Sequence, residues 1–129
     1  MKKLITELDR VFSIYTRMKS ADANGIVKCA TCGKPDHWKF MDCGHFVSRK
    51  NQSVRWDDMN AEPQCKICNQ LERGRPEKFQ DYLIDKYGRD VVNQLIERRH
   101  SAMKLMKWEI QEKITMYKNR ITGLKVIAK

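Results

Sequence analysis

CATCG at residues 29–33 and QCKICN at residues 64–69 enclose the stretch that decides how this chain folds. Each segment holds two cysteines separated by two residues, Cys29 and Cys32 in the first and Cys65 and Cys68 in the second. Such a pair suits a tight turn that directs both sulfur atoms at one ion, so two pairs complete a tetrahedral zinc site. Four thiolates leave no position for a substrate, and the sequence therefore predicts a structural zinc.

The segment DCGHF at residues 42–46 lies between the two pairs, and Asn69 follows the last cysteine directly. A histidine beside a hard divalent ion suits phosphodiester hydrolysis, because imidazole takes a proton from water while the metal stabilises charge on the phosphate. We expect His45 to be the general base, and Asp42 and Asn69 to offer oxygen ligands to Mg²⁺ or Mn²⁺.

Each of these three residues also has a purely structural interpretation. His45 could be a hydrogen-bonded structural histidine, and Asn69 could cap the following helix. Strand alternation places residues 42 and 45 on opposite faces unless Gly44 bends the chain, so Asp42 could be a surface carboxylate.

Supporting roles are expected for the polar residues between the two cysteine pairs. Asn60 either holds the loop and orients the imidazole or is an ordinary turn residue. Cys43 is the unpaired fifth cysteine, expected to be a small buried residue. Basic residues expected to contact DNA phosphates are Arg49, Lys50, Arg55 and Arg73.

Length and composition describe one small domain in a reducing compartment. The chain has 129 residues, of which 41% are hydrophobic, which is enough for a modest core. No apolar stretch reaches the length of a membrane span or a signal-peptide core, so we expect the cytoplasm. Five cysteines are an odd number, which favours metal ligation over a disulfide framework.

Charge is strongly positive, with a net value of +10, and more than half of the excess lies after Gly74. A basic surface attracts polyanions, since lysine and arginine on phosphates release counterions. Charge alone fits either nucleic-acid binding or an ordinary soluble basic surface. The cysteine pairs favour nucleic acid.

Residue periodicity predicts an α+β fold in three parts. Leu4, Leu8, Val11, Tyr15 and Met18 predict an amphipathic helix within residues 1–24, which Asn24-Gly25 ends. Residues 25–74 form the zinc-bound finger, with a strand over 38–43, a short strand and turn over 56–60, and a helix over 66–73.

Residues 75–129 are expected to be helical. Pro76 suits a first helical turn, and Gly88 ends the run of apolar residues that includes Phe79 and Leu83. Asp90 is expected to cap the next helix. A last helix starts between Ser101 and Trp108, with apolar positions at Ile110, Ile114, Tyr117, Ile121 and Leu124.

At these motifs the chain resembles the phage NinG (Rap) recombination proteins, a branch of the HNH or ββα-metal endonucleases. The matching segments are residues 29–33, 42–46, 55–60 and 64–69, together with Gly74. The similarity extends through Tyr82, Tyr87-Gly88 and the last helix near Tyr117, so it covers most of the chain.

The resemblance implies structure-dependent cleavage of DNA, with Holliday junctions and other branched DNA as substrates. It also implies His45 as base, Asn69 as metal ligand and Asn60 as the middle asparagine. Gly44 stands where HNH enzymes such as phage endonuclease VII usually carry Asp or His directly before the base. Glu62 stands where relatives often have histidine.

The resulting expectation is a structure-specific, Mg²⁺- or Mn²⁺-dependent HNH endonuclease acting on branched DNA. The alternatives are a non-catalytic zinc-finger DNA-binding recombination mediator, favoured by Gly44, and a general HNH nicking nuclease. We also expect a homodimer, because paired cuts need two sites and the apolar stripes of the first and last helices could form a two-fold interface. The two helices could equally pack on each other within one chain.

Overall fold

A computed structural model describes residues 1–127, with side chains up to Lys125. The fold is mixed α+β, with more helix than strand and two small two-stranded sheets. The helices are α1 Lys2–Met18, α2 Gln52–Arg55, α3 Pro76–Tyr87, α4 Arg89–Glu97 and α5 Lys107–Ile127. The strands are β1 Ile26–Lys28, β2 Pro35–His37, β3 Asp42–His45 and β4 Ala61–Gln64.

Helix α1 forms where the apolar periodicity predicts it and packs lengthwise on α5. Leu8, Val11 and Phe12 of α1 share one core cluster with Ile110, Ile114, Tyr117 and Ile121 of α5. The Tyr117 hydroxyl donates a hydrogen bond to the Trp56 carbonyl at 2.7 Å, which ties α5 to the finger. The two apolar stripes therefore cover each other within one chain, which is the alternative to a two-fold interface that the sequence left open.

Both sheets are antiparallel hairpins that each carry part of the four-cysteine cluster. Strands β1 and β2 pair with Ile26 opposite His37, and their connection holds the first cysteine pair. Strands β3 and β4 pair with Asp42 opposite Gln64 and His45 opposite Ala61, and the second cysteine pair follows β4. The Ala30 amide donates to the Pro63 carbonyl at 2.9 Å, which brings the two hairpins together.

The strand boundaries differ from those predicted by alternation. Residues 38–40 form a 3₁₀ turn, because the His37 ring accepts a hydrogen bond from the Lys39 amide, and β3 begins only at Asp42. Where a short strand and turn were predicted over 56–60, the Asp57 carboxylate caps a turn over 58–60, so β4 starts at Ala61. Pro63 is tolerated within β4 because a two-stranded sheet consists of edge strands.

The predicted helix over 66–73 is instead a single π-helical turn, Ile67–Leu71, with the Glu72 amide bonded to the Ile67 carbonyl at 2.9 Å. It ends in three consecutive residues with left-handed backbone, Arg73, Gly74 and Arg75. Such backbone is unfavourable for arginine, so the turn must be held by its surroundings.

The helical segment follows the sequence closely. Pro76 opens α3, Gly88 ends it with a positive φ of 93°, and α5 starts at Lys107 inside the predicted interval. Asp90 lies in the first turn of α4 without making a side-chain cap, so that expectation is wrong; Gly88 precedes the helix instead. None of the helices within residues 1–127 has the length and apolarity needed to span a membrane.

Candidate zinc cluster and the site around His45

The four cysteines of the two pairs converge as the sequence predicts. Their Sγ atoms all lie within 4.8 Å of one another, and Cys32 and Cys65 are 3.8 Å apart. Tetrahedral zinc with bonds of about 2.3 Å requires sulfur atoms separated by about 3.8 Å. The cluster therefore fits a metal ion such as zinc. Cys43 lies elsewhere, packed against the α1–α5 core.

Hydrogen bonds reach several of the sulfur atoms in the cluster. The Cys68 amide donates to Cys65 Sγ at 3.4 Å, and the guanidinium Nε of Arg75 donates to Cys68 Sγ at 3.2 Å. Burial opposes ionisation of Cys29, but hydrogen bonds from Thr31 and nearby amides lower its pKa to about 6. The Lys34 amide favours the Cys32 thiolate, but burial and the neighbouring thiols outweigh it and raise the pKa of Cys32 to about 12. Four adjacent thiols cannot all ionise without a cation between them, which a zinc ion supplies.

Asp42 and Asn69 are brought into direct contact. Asn69 Nδ2 donates to Asp42 Oδ2 at 3.0 Å, so the asparagine side chain reaches the carboxylate and does not cap a helix. Gln70 Nε2 donates to the same oxygen at 2.8 Å, and Lys66 Nζ lies 2.8 Å from Oδ1. These hydrogen bonds outweigh burial and hold the pKa of Asp42 below its ordinary value. A carboxylate with an amide beside it suits a largely hydrated Mg²⁺. In this structure the exposed Lys66 ammonium is the cation that pairs with the carboxylate.

His45 lies at the end of β3, on the face of the strand opposite Asp42. Its Nε2 is 2.8 Å from the Arg55 carbonyl oxygen, and its ring packs at 5.9 Å from the Phe12 ring. A carbonyl only accepts, so Nε2 carries the proton and Nδ1 is the basic nitrogen. Nδ1 has no hydrogen-bond partner among the described residues, and the His45 side chain is only partly buried.

Burial is the main cause that lowers the pKa of His45, and the nearby guanidinium groups of Arg49 and Arg55 lower it further. The Arg55 carbonyl and the Asp9 carboxylate oppose that shift. The imidazole is therefore neutral at pH 7, the state that a general base requires.

Asn60 is fully buried, and its amide holds the loop between β3 and α2. Oδ1 accepts from the Val47 amide at 2.8 Å, and Nδ2 donates to the carbonyls of Val47 and Val54 at 3.0 and 3.1 Å. The Val54 carbonyl directly precedes the Arg55 carbonyl that holds His45. Asn60 thus acts on the imidazole through the backbone and does not reach solvent.

Gly44 is needed for a reason that sequence reasoning did not provide. A Cβ at this position would overlap the side chain of Gln64, which lies across the β3–β4 pair. Gln64 is fully buried and donates to Thr31 Oγ1 and the Gly74 carbonyl, while its Oε1 has no partner. The cross-strand glutamine therefore fills the space that a larger residue 44 would occupy.

The expected DNA-contacting residues fall into two groups. Lys50 and Arg73 are exposed and form no ion pair among the described residues. Arg49 and Arg55 both bind the Asp9 carboxylate of α1, at 2.9 and 2.6 Å. Arg55 is the more buried of the two, with 19% of its side chain exposed against 58% for Arg49. Its availability to phosphate therefore depends on Asp9.

Asp9 is a polar residue whose importance the sequence did not reveal, and Glu62 was singled out only by the resemblance. Asp9 borders the apolar face of α1 next to Leu8 and Phe12, and an acidic residue in that position was the available signal. Glu62 is fully buried between Lys19 and Lys86, each at 2.7 Å, and accepts from the Tyr82 hydroxyl at 3.1 Å. It links α1, β4 and α3, and its carboxylate is occupied by these cations.

Comparison with known proteins agrees with the motifs. A family model described as Bacteriophage Lambda NinG protein matches residues 1–126. Protein ninG of Escherichia phage 933W and that of Escherichia phage lambda are each 25% identical over 109 residues, or 84% of this chain. Protein ninG of Enterobacteria phage H19B is 31% identical over 72 residues, or 55% of this chain and 34% of that protein.

The chain spans about half the length of the first two relatives, 50% for phage 933W and 49% for phage lambda. No solved structure matches. Because the family model covers the chain almost from end to end, the protein belongs to the NinG family.

Proposed function

We propose that this protein is a metal-dependent endonuclease that hydrolyses phosphodiester bonds in branched DNA, with four-way junctions as the preferred substrate. The observation that carries the proposal is the state of His45. Its Nε2–H is fixed on the Arg55 carbonyl, its pKa is lowered by burial, and its Nδ1 is left basic with no hydrogen-bond partner among the described residues. This is the arrangement that a general base needs.

In this proposal Nδ1 of His45 takes the proton of the attacking water. Asn60 keeps the loop in place by bracing the Val54 carbonyl, so that the neighbouring Arg55 carbonyl stays directed at Nε2. Asp42 and Asn69 are the residues that would hold Mg²⁺ or Mn²⁺, on the face of β3 opposite His45, and such an ion would supply charge stabilisation to a phosphate bound there. The four cysteines would hold a structural zinc.

Binding to DNA is supported by the charge distribution. The chain carries 26 lysines and arginines against 16 acidic residues. Arg49, Lys50 and Arg73 are exposed in the segments that adjoin His45 and Asn69. Basic groups on phosphates give affinity that does not depend on base sequence, which suits recognition of branched DNA by shape.

A second candidate function, a DNA-binding recombination mediator without nuclease activity, is favoured by two observations. Gln64 fills the space at Gly44, and Asp42 lies on the face of β3 opposite His45. Under this alternative the protein binds junctions through the same basic residues, and His45 only packs against Phe12.

One experiment separates the two functions. Purified protein is incubated with a labelled four-way junction and with a linear duplex of matched sequence, in Mg²⁺, Mn²⁺ or EDTA. The proposal expects junction cutting that requires the metal and is lost in His45→Ala, while that variant still binds the junction. Binding without cutting under all metal conditions supports the mediator, and equal cutting of both DNAs supports a general nicking nuclease.

A further inference from the structure

Asp9 of α1 gathers four hydrogen-bond donors from the segment that surrounds His45. Its Oδ1 accepts from Arg55 Nε at 3.0 Å and from Trp56 Nε1 at 2.8 Å. Its Oδ2 accepts from Arg55 Nη2 at 2.6 Å and from Arg49 Nη2 at 2.9 Å. One carboxylate therefore holds a guanidinium in the two-bond geometry that is the strongest for this pair, and a second guanidinium and an indole as well.

This carboxylate acts close to the imidazole, although Asp9 and His45 make no hydrogen bond. The Arg55 and Trp56 side chains that Asp9 holds belong to the peptide unit whose carbonyl accepts from His45 Nε2. Fixing both side chains fixes the direction of that carbonyl. Helix α1 itself is firmly seated, because Leu8 and Phe12 on either side of Asp9 are buried in the core.

We propose that Asp9 is a positioning residue of the site, which holds the Arg55 carbonyl on His45 and keeps the exposed guanidinium of Arg49 beside the imidazole for a DNA phosphate. The inference deepens the proposed nuclease function and rests on it. Arg49 suits the phosphate role because only its Nη2 is bonded to Asp9 and 58% of its side chain is exposed. Arg55 is bonded to Asp9 through both Nε and Nη2, and only 19% of its side chain is exposed.

The variant Asp9→Asn separates positioning from simple charge attraction. The change removes the negative charge that neutralises Arg49 and Arg55, so we expect junction binding to tighten or stay the same. The Arg55 carbonyl loses its support, so the cleavage rate at saturating junction falls by about tenfold or more, within the range that a general base contributes. A general loss of folding would instead lower binding, rate and zinc content together.

Glu7→Gln is the matched control. Glu7 lies in the same helix and pairs with Arg10 and Lys118, so the change removes the same charge without touching the site. We expect its junction binding to follow that of Asp9→Asn while its cleavage rate stays at the wild-type value. Equal rates in the two variants would overturn the proposal.

A second measurement does not depend on activity. The ring protons of His45 are titrated by NMR in the wild type, in Asp9→Asn and in Glu7→Gln. The charged groups that face the imidazole are Asp9 from α1, Arg55 from α2 and Arg49 from the connecting loop. Loss of Asp9 leaves two cations, so the pKa of His45 falls further in Asp9→Asn and is unchanged in Glu7→Gln.

Arg49→Gln extends the test to an exposed side chain, so we expect this variant to fold normally. It removes one of the two cations, so the pKa of His45 rises and junction binding weakens. An unchanged His45 titration in both Asp9→Asn and Arg49→Gln would overturn the proposal. If the wild type cuts no DNA, the nuclease function fails, and the titrations still decide whether Asp9 organises these groups.

Discussion

Asn60 illustrates how a single buried side chain can determine the geometry of a solvent-facing one. All three of its hydrogen bonds go to backbone groups of Val47 and Val54, and none is available to water. Its amide supplies the loop with bonds that the strands do not provide. At this scale the geometry around His45 depends on a residue that is itself closed to solvent.

We expect Asn60→Ala to destabilise the protein by about 2 kcal/mol or more, because it leaves the Val47 amide and the Val47 carbonyl unpaired and each such buried group costs about 1–3 kcal/mol. The Val54 carbonyl keeps the Asp57 amide as a donor at 3.2 Å. Denaturant unfolding measures the change. Asn69→Ala is the comparison, since the half-buried Asn69 side chain bonds, among the described residues, to Asp42 alone, and we expect a change below about 1 kcal/mol. A reversed order of the two effects would contradict the assignment.

In the proposed nuclease, the lowered pKa of His45 sets the pH dependence of cleavage. The neutral imidazole is the active form, so the single-turnover rate is level at high pH and falls as the pH drops through this pKa. Burial places the midpoint below the ordinary value of 6.5. A midpoint above 6.5, or a rate that does not change between about pH 5 and 8, the range in which histidine titrates, would exclude His45 as the base.

The β3–β4 hairpin shows how one strand constrains the side chain of another. Gly44 has no Cβ, and the buried Gln64 side chain occupies the space beside it while bonding Thr31 and Gly74. The hairpin is thereby joined to both cysteine-bearing segments. A side chain at residue 44 would displace this connection.

Gly44→Ala is expected to destabilise the protein by about 1–3 kcal/mol, the usual cost of forcing an extra carbon into a packed site. Gly123→Ala in α5 is the control, because nothing lies within 4 Å of a Cβ there. A glycine in a helix interior costs about 0.5–1 kcal/mol relative to alanine, so the control should be stabilised. Opposite shifts of the two melting temperatures confirm the packing argument, and equal shifts contradict it.

The four-cysteine cluster joins two hairpins whose own shared core is small. Val27, Cys29, Met41 and Cys68 form that core, and two of its four residues are the cluster's own ligands. We expect one zinc per chain by elemental analysis, and loss of the finger's thermal transition after chelation. A metal-free protein with four reactive thiols and an unchanged melting curve would contradict the zinc site.

At the scale of the whole molecule, α1 connects the two halves of the chain. It packs on α5 through its apolar face, reaches the His45 segment through Asp9, and reaches β4 through Lys19 and Glu62. Burial alone would lower the pKa of Lys19, but Glu62 and Asp58 raise it, so the Lys19 ammonium is charged. The helix is thus part of the candidate site as well as part of the core.

Paired cutting of a junction requires two sites, and this chain offers one candidate base. We therefore predict two chains on each four-way junction, measured by sedimentation of the complex. Since the α1 and α5 stripes are already packed on each other, the pairing must use another surface or the junction itself. Paired cuts made by a single bound chain would contradict this prediction.

Local patterns determined much of the fold from the sequence alone. The Cys-x-x-Cys spacing was sufficient to predict the four-cysteine cluster, because two residues between the cysteines of a pair define a local turn. Helix α1 followed from its apolar periodicity, and the two ends of α3 followed from Pro76 and Gly88. These signals lie within the segment that they shape. The predicted strand ends were wrong where the side chains of His37 and Asp57 cap turns. The alternation of apolar and polar residues does not predict such turns.

Only the tertiary structure decided which distant groups meet. Asp9 reaches Arg55 across 46 positions, Tyr117 reaches the Trp56 carbonyl across 61, and Gln64 fills the space at Gly44. The sequence also left open whether α1 and α5 pack on each other or on a second copy. These contacts depend on how whole segments bury their apolar faces, and that burial leaves polar groups to find partners far along the chain.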